Sequence, residues 1–274
     1  MSSGIKKRTG SEYSDGRPGR INYHSEDEYR TVTLTVQATA EDIHDITHLR
    51  DAVNELFDGE LMLREMRIKS VEVEYESMGQ RTGELQLEAP EYVNGKQIKV
   101  TMVNSPEVDD TTLVSTFTVE FETTESPYFE TIYTTLELHD SGYSATAEKY
   151  GLVDNIDDEK VKYRFTENNF TVYNAGNVTV EPESMELEIL IKNVVITDKM
   201  TIRNHRTGEN HTYNFSTVNP SEYKIKGMMV LRSSVNVFGN TNKRFINLKP
   251  GDNNIEITGA TFSEVIFIFK YYYK

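Results

Sequence analysis

The sequence predicts a mainly β protein with two β-sandwich-type domains. Three observations predict this class: most apolar side chains alternate with polar ones, only one segment has helical spacing, and the strand pattern stops and restarts in FTVYNAGNVTVEP, residues 170–182. Alternation sends successive side chains to opposite faces, as in a strand with one buried face. A length of 274 residues is sufficient for two medium-sized domains.

Eight segments carry the alternating pattern. They are TVTLTVQA (31–38), VEVEY (71–75), GELQLE (83–88), QIKVTMV (97–103), TFTVEFE (116–122), MELEILIK (185–192), NIEIT (254–258) and VIFIFK (265–270). Glycine-containing pairs between them predict turns at Asn94-Gly95, Thr207-Gly208 and Pro250-Gly251. In the restart near residue 174, Gly176 indicates either a positive φ or a close approach of two backbones.

One amphipathic helix is predicted at residues 41–58. Its apolar positions repeat at helical spacing, Thr39 is a candidate N-cap, and Gly59 ends the segment. The apolar positions are Ile43, Ile46, Leu49, Val53, Leu56 and Phe57. We expect this face to lie on a sheet.

Residues 126–160 have the weakest pattern of the chain. From residue 120 to residue 160 there are eleven acidic residues against two lysines. We therefore expect an acidic connection with exposed loops at 131–163, between a first domain at 1–130 and a second at 164–274.

Composition excludes several classes of function. The net charge of −15 disfavours a phosphate backbone as ligand, so no nucleic acid is expected. The absence of cysteine removes disulfides, thiolate metal sites and cysteine nucleophiles. No apolar run of 18 residues is present, so no membrane insertion is expected, and the first twenty residues lack the apolar core of a signal peptide.

The only spacing typical of a metal site is HDITH, in which His44 and His48 are one helical turn apart. A third ligand is not apparent, and both histidines lie opposite the apolar face, so we interpret them as a solvated polar surface. No spacing typical of a catalytic triad, phosphate-binding loop or dinucleotide fingerprint is present. No catalytic residue, cofactor or metal is therefore expected. The aromatic end FIFKYYYK is interpreted as a core strand, with sugar stacking as the alternative.

The order of several motifs resembles that of the distal tail protein (Dit) family of long-tailed phages that infect Gram-positive bacteria. The resemblance covers nearly the whole chain, through GRPGR, the helix, SPYFET at 126–131, FTVYNAGNVTVEP and LKPGDNNIEITG at 248–259. The motif residues are Gly16, Arg17, Gly19, Arg30, Asn174, Gly176, Asn177, Pro182, Gly251, Asn253 and Gly259. Fewer residues precede GRPGR here than is usual in the family.

The resemblance implies a structural baseplate hub at the tail tip, made in the host cytoplasm and without enzyme activity. Residues 1–130 would form a ring of six copies, using a sandwich with one helix and a hairpin. Residues 164–274 would form a galectin-like sandwich that holds receptor-binding proteins, while the ring contacts the tail tube and tip proteins. A carbohydrate-binding module on the second domain is the alternative, although the chain has no tryptophan to stack a sugar.

Overall fold

The computed structural model describes residues 1–13, 18–67, 91–109, 111–151, 153–217 and 219–274. The chain divides into two compact units, with unit 1 at Met1–Leu63, Ile98–Phe129 and Lys274, and unit 2 at Arg64–Gln97 and Glu130–Tyr273. The predicted strands at 71–75 and 83–88 lie outside the described residues, as do Gly16 and Arg17.

The mainly β class is confirmed, because the described residues form two sheets with few helices. The strands are β1 (Ser2–Tyr13), β2 (Arg20–Thr39), β3 (Glu60–Arg67), β4 (Glu91–Met102), β5 (Val114–Thr123), β6 (Phe129–Thr131), β7 (Arg164–Phe165), β8 (Asn169–Asn174), β9 (Leu187–Asn204), β10 (Asn210–Tyr213), β11 (Ser221–Lys226), β12 (Met229–Arg232), β13 (Val235–Asn236), β14 (Gly251–Thr261), β15 (Glu264–Phe269) and β16 (Tyr272–Tyr273). The helices are α1 (Ile46–Phe57), α2 (Thr135–Ser141) and α3 (Tyr143–Tyr150), with 3₁₀ turns at Ile43–Asp45, Asp158–Lys160 and Phe238–Asn240.

Unit 1 contains the antiparallel order β1-β2-β5-β4, and β3 also pairs with β4. The alternating side chains of β5 supply Phe117, Val119 and Phe121 to its core. Helix α1 closes that core with Val53, and its Phe57 ring meets Phe121 edge-on at 5.7 Å. The predicted amphipathic helix is thus confirmed, with its apolar face on the sheet.

The helix prediction was wrong at three positions. Thr39 is the last residue of β2, and the cap is supplied by Asp42, whose carboxylate accepts from the His44 N–H at 3.4 Å. Ile43 and Leu56 are exposed, at 63% and 66%, instead of contributing to the core. They lie at the ends of the helical segment, where Ile43 belongs to the 3₁₀ turn and is out of phase with Ile46 and Val53.

The long hairpin of unit 1 is formed by β1 and β2. The two strands pair from Ser2↔Thr33 to Tyr13↔Arg20, while β5 pairs with β2 only over Thr31–Thr39. Residues 7–13 and 20–27 therefore form a two-stranded ribbon that has no third strand among the described residues.

In unit 2, the described residues form a nine-stranded sheet organised around β9. The first half of β9 pairs with β11 and β15, and its second half pairs with β10 and β14. Strand β8 adds to β14, and β7 adds to β15. The break in the strand pattern near residue 174 is thus the end of β8.

Residues 131–163 contain α2 and α3, where the sequence predicted exposed loops. Leu138 of α2 is 1% exposed, and the Thr135 hydroxyl donates to the Phe267 carbonyl of β15 at 3.0 Å. Helices of seven and eight residues give too few apolar repeats to show a period. This segment belongs to unit 2 in the structure.

One predicted turn was also wrong. Asn94-Gly95 lies within β4, where Gly95 has a φ of 61°. A Cβ there would come within 2.9 Å of the Gly151 carbonyl, so the glycine serves a close backbone approach in unit 2.

Candidate functional site

The motif FTVYNAGNVTVEP folds around the buried amide of Asn174. Its Nδ2 donates to the carbonyls of Val178 at 3.1 Å and Leu248 at 3.0 Å, and its Oδ1 accepts from the Gly176 N–H at 2.9 Å. The side chain is 1% exposed, so each of these bonds replaces water that cannot enter. Asn174 therefore fixes the path by which β8 ends.

Gly176 shows the close backbone approach, without a positive φ. A Cβ at this position would lie 2.6 Å from the Tyr272 carbonyl oxygen and 2.8 Å from its nitrogen. The same carbonyl accepts from the Asn177 N–H at 3.1 Å. Pro182, the last residue of the motif, is buried, and Val180 pairs with Leu248.

The second motif, LKPGDNNIEITG, is organised by Asn253, which is fully buried. Its Nδ2 donates to the carbonyls of Lys249 at 2.7 Å and Gly251 at 2.9 Å, and more distantly to that of Val172 at 3.3 Å. Its Oδ1 accepts from the Lys249 N–H at 3.0 Å and from Asn204 Nδ2 at 3.1 Å. One amide thus joins three segments of unit 2.

The glycines of this motif have positive φ values, 86° at Gly251 and 77° at Gly259. Gly259 lies in a bulge of β14 where the register with β9 shifts between Thr258 and Ala260. A Cβ there would lie 1.9 Å from the Lys199 carbonyl oxygen, so only glycine fits.

In unit 1, the motif residue Arg30 is a buried cation, 5% exposed. Its Nε donates to the Pro127 carbonyl at 2.8 Å, its Nη1 donates to Ser3 Oγ at 3.2 Å, and its guanidinium lies 4.8 Å from the Phe129 ring centroid. Burial lowers its pKa below the usual value. Gly19, immediately before β2, has a φ of 96°.

A charged cluster lies beside Arg30. The Asp27 carboxylate accepts from the Lys274 ammonium at 2.6 Å and from the Tyr128 hydroxyl at 2.9 Å. The hydrogen bond from Lys274 is the main cause that holds the pKa of Asp27 below its usual value. This cluster fixes the hairpin close to the point where it leaves the sheet.

The C-terminal aromatic residues are core residues, in agreement with the interpretation of FIFKYYYK as a core strand. Phe267, Phe269, Tyr271 and Tyr273 are each 2% exposed or less. The hydroxyls of Tyr163 and Tyr271 are hydrogen-bonded to each other, and burial raises the pKa of Tyr271 well above its ordinary value. These rings offer no exposed face to a sugar.

Two open grooves lie on unit 2. The larger, of about 590 Å³, is lined by Phe165, Phe170 and Tyr173, with charged and polar side chains around them. Phe165 and Phe170 stack on each other at 4.1 Å. The smaller, of about 470 Å³, has a mainly polar lining that includes Glu181, Glu183 and Glu209.

His44 and His48 are both exposed, and no group of three or more His, Asp or Glu side chains suited to a metal occurs in the described part of the chain. The buried histidine is His211, whose Nδ1 donates to the Arg244 carbonyl at 2.7 Å. Its Nε2 therefore accepts from the Tyr223 hydroxyl at 2.7 Å, and burial lowers its pKa. These bonds make His211 a core residue.

No helix among the described residues is long and apolar enough to span a membrane.

No family model matches the sequence, and no curated protein shows significant similarity to it. Among solved structures, the chain is similar to the SPP1 Dit protein, described as a paradigm of the hub adsorption apparatus of phages that infect Gram-positive bacteria. Identity is 10%, the match covers 97% of this chain and 89% of that one, and the TM-score is 0.60. The chain has the fold of that hub protein.

A weaker likeness links the chain to structures of the phage P2 baseplate in its activated conformation. The structure with Ca is 10% identical over 98% of this chain and 87% of that one, with a TM-score of 0.38, and the structure with Sr has a TM-score of 0.39. TM-scores this low do not establish a shared fold, so the fold is compared with that of the SPP1 protein.

Among the motif residues that the structure describes, Arg30, Asn174, Gly176, Pro182 and Asn253 are buried, whereas Gly19, Asn177 and Gly259 are exposed. Asn174, Gly176 and Asn177 lie close together at the end of β8, while Asn253 and Gly259 organise β14. Sequence reasoning missed Asn204, Tyr163 and Asp27, which are single polar residues whose partners lie far away in the chain.

Proposed function

We propose that this protein is a structural hub at the distal end of a phage tail. The observation that supports the proposal is a fold shared with the SPP1 Dit hub protein over 97% of this chain. The motif order seen in the sequence supports it independently. The role requires no enzyme activity, cofactor or metal, and no such function is proposed for any residue.

In this proposal, residues 1–130 build a ring of six copies, and residues 164–274 form a galectin-like outer domain. The ring joins the tail tube to the tip proteins, and the outer domain holds receptor-binding proteins. Residues 131–163 cluster with unit 2, as residues 64–97 of the ring-forming part also do, and we assign 131–163 functionally to the outer part. The protein would be made in the host cytoplasm and incorporated into the virion tail tip.

Carbohydrate binding by the outer domain is not favoured by the groove geometry. Phe165 is 6% exposed, and its stacking at 4.1 Å also covers one face of Phe170. A sugar-stacking site needs an open ring face, so we assign the domain a protein partner.

The test is electron cryomicroscopy of intact virions of the phage that encodes this chain. We expect a six-fold layer at the tail tip into which both units of this chain fit. Virions from an amber mutant of the gene, grown with and without a plasmid copy, provide the control. A tail tip without this chain would overturn the hub role, and a layer of another symmetry would overturn the six-copy ring.

A further inference from the structure

We propose that the ring joint is formed by the outer edge of β1 of one copy and the exposed face of α1 of the next. This inference rests on the proposed function, because it specifies how the ring closes. The occupant of the α1 face is thus a second copy of this chain.

The exposed face of α1 has the composition of an interface. Leu56 is 66% exposed, and Ile43, in the turn before the helix, is 63% exposed. Asp51 and Glu55 are exposed one helical turn apart, and Glu55 makes no ion pair with another described residue. Asp51 pairs with Arg50 at 4.0 Å. Large apolar side chains beside exposed carboxylates suit a surface that a partner covers.

The segment around α1 is strongly acidic. Residues 41–60 contain seven acidic side chains and one arginine. Two such surfaces would repel each other, so a symmetric contact between two α1 faces is disfavoured. The occupant must therefore bring positive charge.

Strand β1 carries that charge, although the whole chain has a net charge of −15. It has three cationic side chains, Lys6, Lys7 and Arg8, and one acidic side chain, Glu12. Lys6 and Arg8 are exposed and make no ion pair with any residue the structure describes. An exposed basic strand beside an acidic helix of another copy is electrostatically complementary.

The outer edge of β1 also has backbone N–H and C=O groups that no described strand pairs with. β1 is the end strand of the order β1-β2-β5-β4, so its outer side pairs with no other strand in the described ranges. Unpaired edges of this kind bind other chains unless charge or cover protects them. Here the lysines and arginine would select a partner with acidic charge.

The two surfaces are formed by different elements of unit 1. Helix α1 lies on the face of the sheet, where Phe57 contacts Phe121 of β5, whereas β1 is the edge strand, two strand spacings from β5 and roughly 10 Å away. The residues that follow α1 reach β4, where the Thr101 hydroxyl donates to the Gly59 carbonyl at 3.2 Å and Lys99 pairs with Glu60 at 3.1 Å. A contact between two different patches is heterologous, and it forms a ring when the rotation that repeats it closes.

The experiment uses two charge-reversed variants of the full chain. K6E/R8E makes β1 acidic, and D51K/E55K makes the α1 face basic. Each is expressed from a plasmid in cells infected with the amber mutant, alone or together, and ring content of purified tails is measured. K226E/K243E and D158K/E159K, which reverse exposed charges of unit 2, are the matched controls.

We expect each β1 or α1 variant alone to reduce ring-containing tails by about tenfold or more, because like charges then face each other. Co-expression should restore the tails, because an alternating ring satisfies every joint. Circular dichroism of the purified variants checks that each one folds.

Unchanged assembly with each single variant, or loss that co-expression does not rescue, would overturn the proposed joint while leaving the hub role intact. Wild-type tails that lack the chain would instead overturn the hub role and the joint with it.

Discussion

Unit 1 and unit 2 differ in how fully the polar groups of their buried motif side chains are hydrogen-bonded. In unit 2, both ends of the Asn253 amide are hydrogen-bonded to protein. In unit 1, Arg30 Nη2 is buried without a hydrogen-bond partner among the described residues. A buried donor without a partner costs stability. Unit 2 also has two buried hydroxyls without a partner among the described residues, those of Thr146 and Ser221, but neither belongs to its motifs.

The helices repeat the contrast. Leu138 of α2 in unit 2 is 1% exposed, whereas Leu56 of α1 in unit 1 is 66% exposed. Unmet polar groups and exposed apolar side chains both suit a unit completed by other protein surfaces. The difference therefore holds for the motif side chains and the helices, and not for the whole of each unit, because unit 2 also exposes Val235 at 65% and Met228 at 55%.

The largest effect should come from Gly259→Ala in unit 2. The new Cβ would collide with the Lys199 carbonyl, 1.9 Å away, and Gly259 also has a φ of 77°. We expect about 4 kcal/mol or more of destabilisation, seen as lost hydrogen-exchange protection in β14. The control is Gly208→Ala, with the same φ and open space around it, which should lose only about 1 kcal/mol. Equal effects at both sites would contradict the steric explanation.

The next largest effect should come from Asn253→Ala, which we expect to lower the free energy of unfolding of unit 2 by about 3 kcal/mol. The substitution leaves the Lys249 and Gly251 carbonyls without their amide donor and opens a small cavity. Thermal unfolding of unit 2, followed by hydrogen exchange, measures the loss. Its exposed neighbour Asn254, changed to alanine, should alter stability by less than about 0.5 kcal/mol. If Asn253→Ala changed the stability of unit 2 no more than Asn254→Ala does, the hydrogen bonds of the Asn253 amide would not stabilise unit 2.

Gly176→Val tests the close approach at the end of β8. Its Cβ would lie 2.6 Å from the Tyr272 carbonyl, so the C-terminal segment must move. We expect at least about 1 kcal/mol of destabilisation in unit 2. Gly239→Val, where nothing lies within 4 Å, is the control by the same calorimetric scan. An unchanged melting curve for Gly176→Val would contradict the packing described.

Arg30→Lys addresses unit 1. The lysine keeps the charge but loses the fork that donates to Pro127 and Ser3 and stacks on Phe129. We expect a loss of about 1 kcal/mol in the free protein, measured by exchange protection in β2. Arg50→Lys, on the exposed side of α1, should be neutral. If Arg30→Lys were equally neutral, the burial of Arg30 would not stabilise unit 1.

The smallest effect should follow the double substitution of His44 and His48 by glutamine. Both side chains are exposed, so the free energy of unfolding should change by less than about 0.5 kcal/mol. Metal analysis of the purified parent and variant is the accompanying measurement. Stoichiometric zinc in the parent that disappears in the variant would overturn the interpretation of these histidines as a solvated surface.

The sequence predicted the strands whose one face is buried. The patterns at 31–38, 97–103 and 116–122 overlap β2, β4 and β5, and those at 185–192, 254–258 and 265–270 overlap β9, β14 and β15. Alternation is visible there because Val32, Val119 and similar residues face a core.

The sequence did not predict β1, α2 or α3. Nearly every residue of β1 is exposed, so no alternation marks it. In α2, the buried positions Thr135 and Leu138 are too few to define a helical period. The scaffold roles of Asn174 and Asn253 were implied by resemblance alone, because their partners are distant in the chain. The proposed joint could not be predicted, because it depends on which strand lies at the sheet edge.

Strand β9 determines when unit 2 can fold during synthesis. It begins at Leu187, but its partners β14 and β15 end only at Thr261 and Phe269. Tyr271 must also bond to Thr131, 140 positions earlier. Until β14 and β15 have been synthesised, β9 has an unpaired edge, so folding of unit 2 waits for them. No copy therefore has a finished unit 2 before residues 251–273 have left the ribosome.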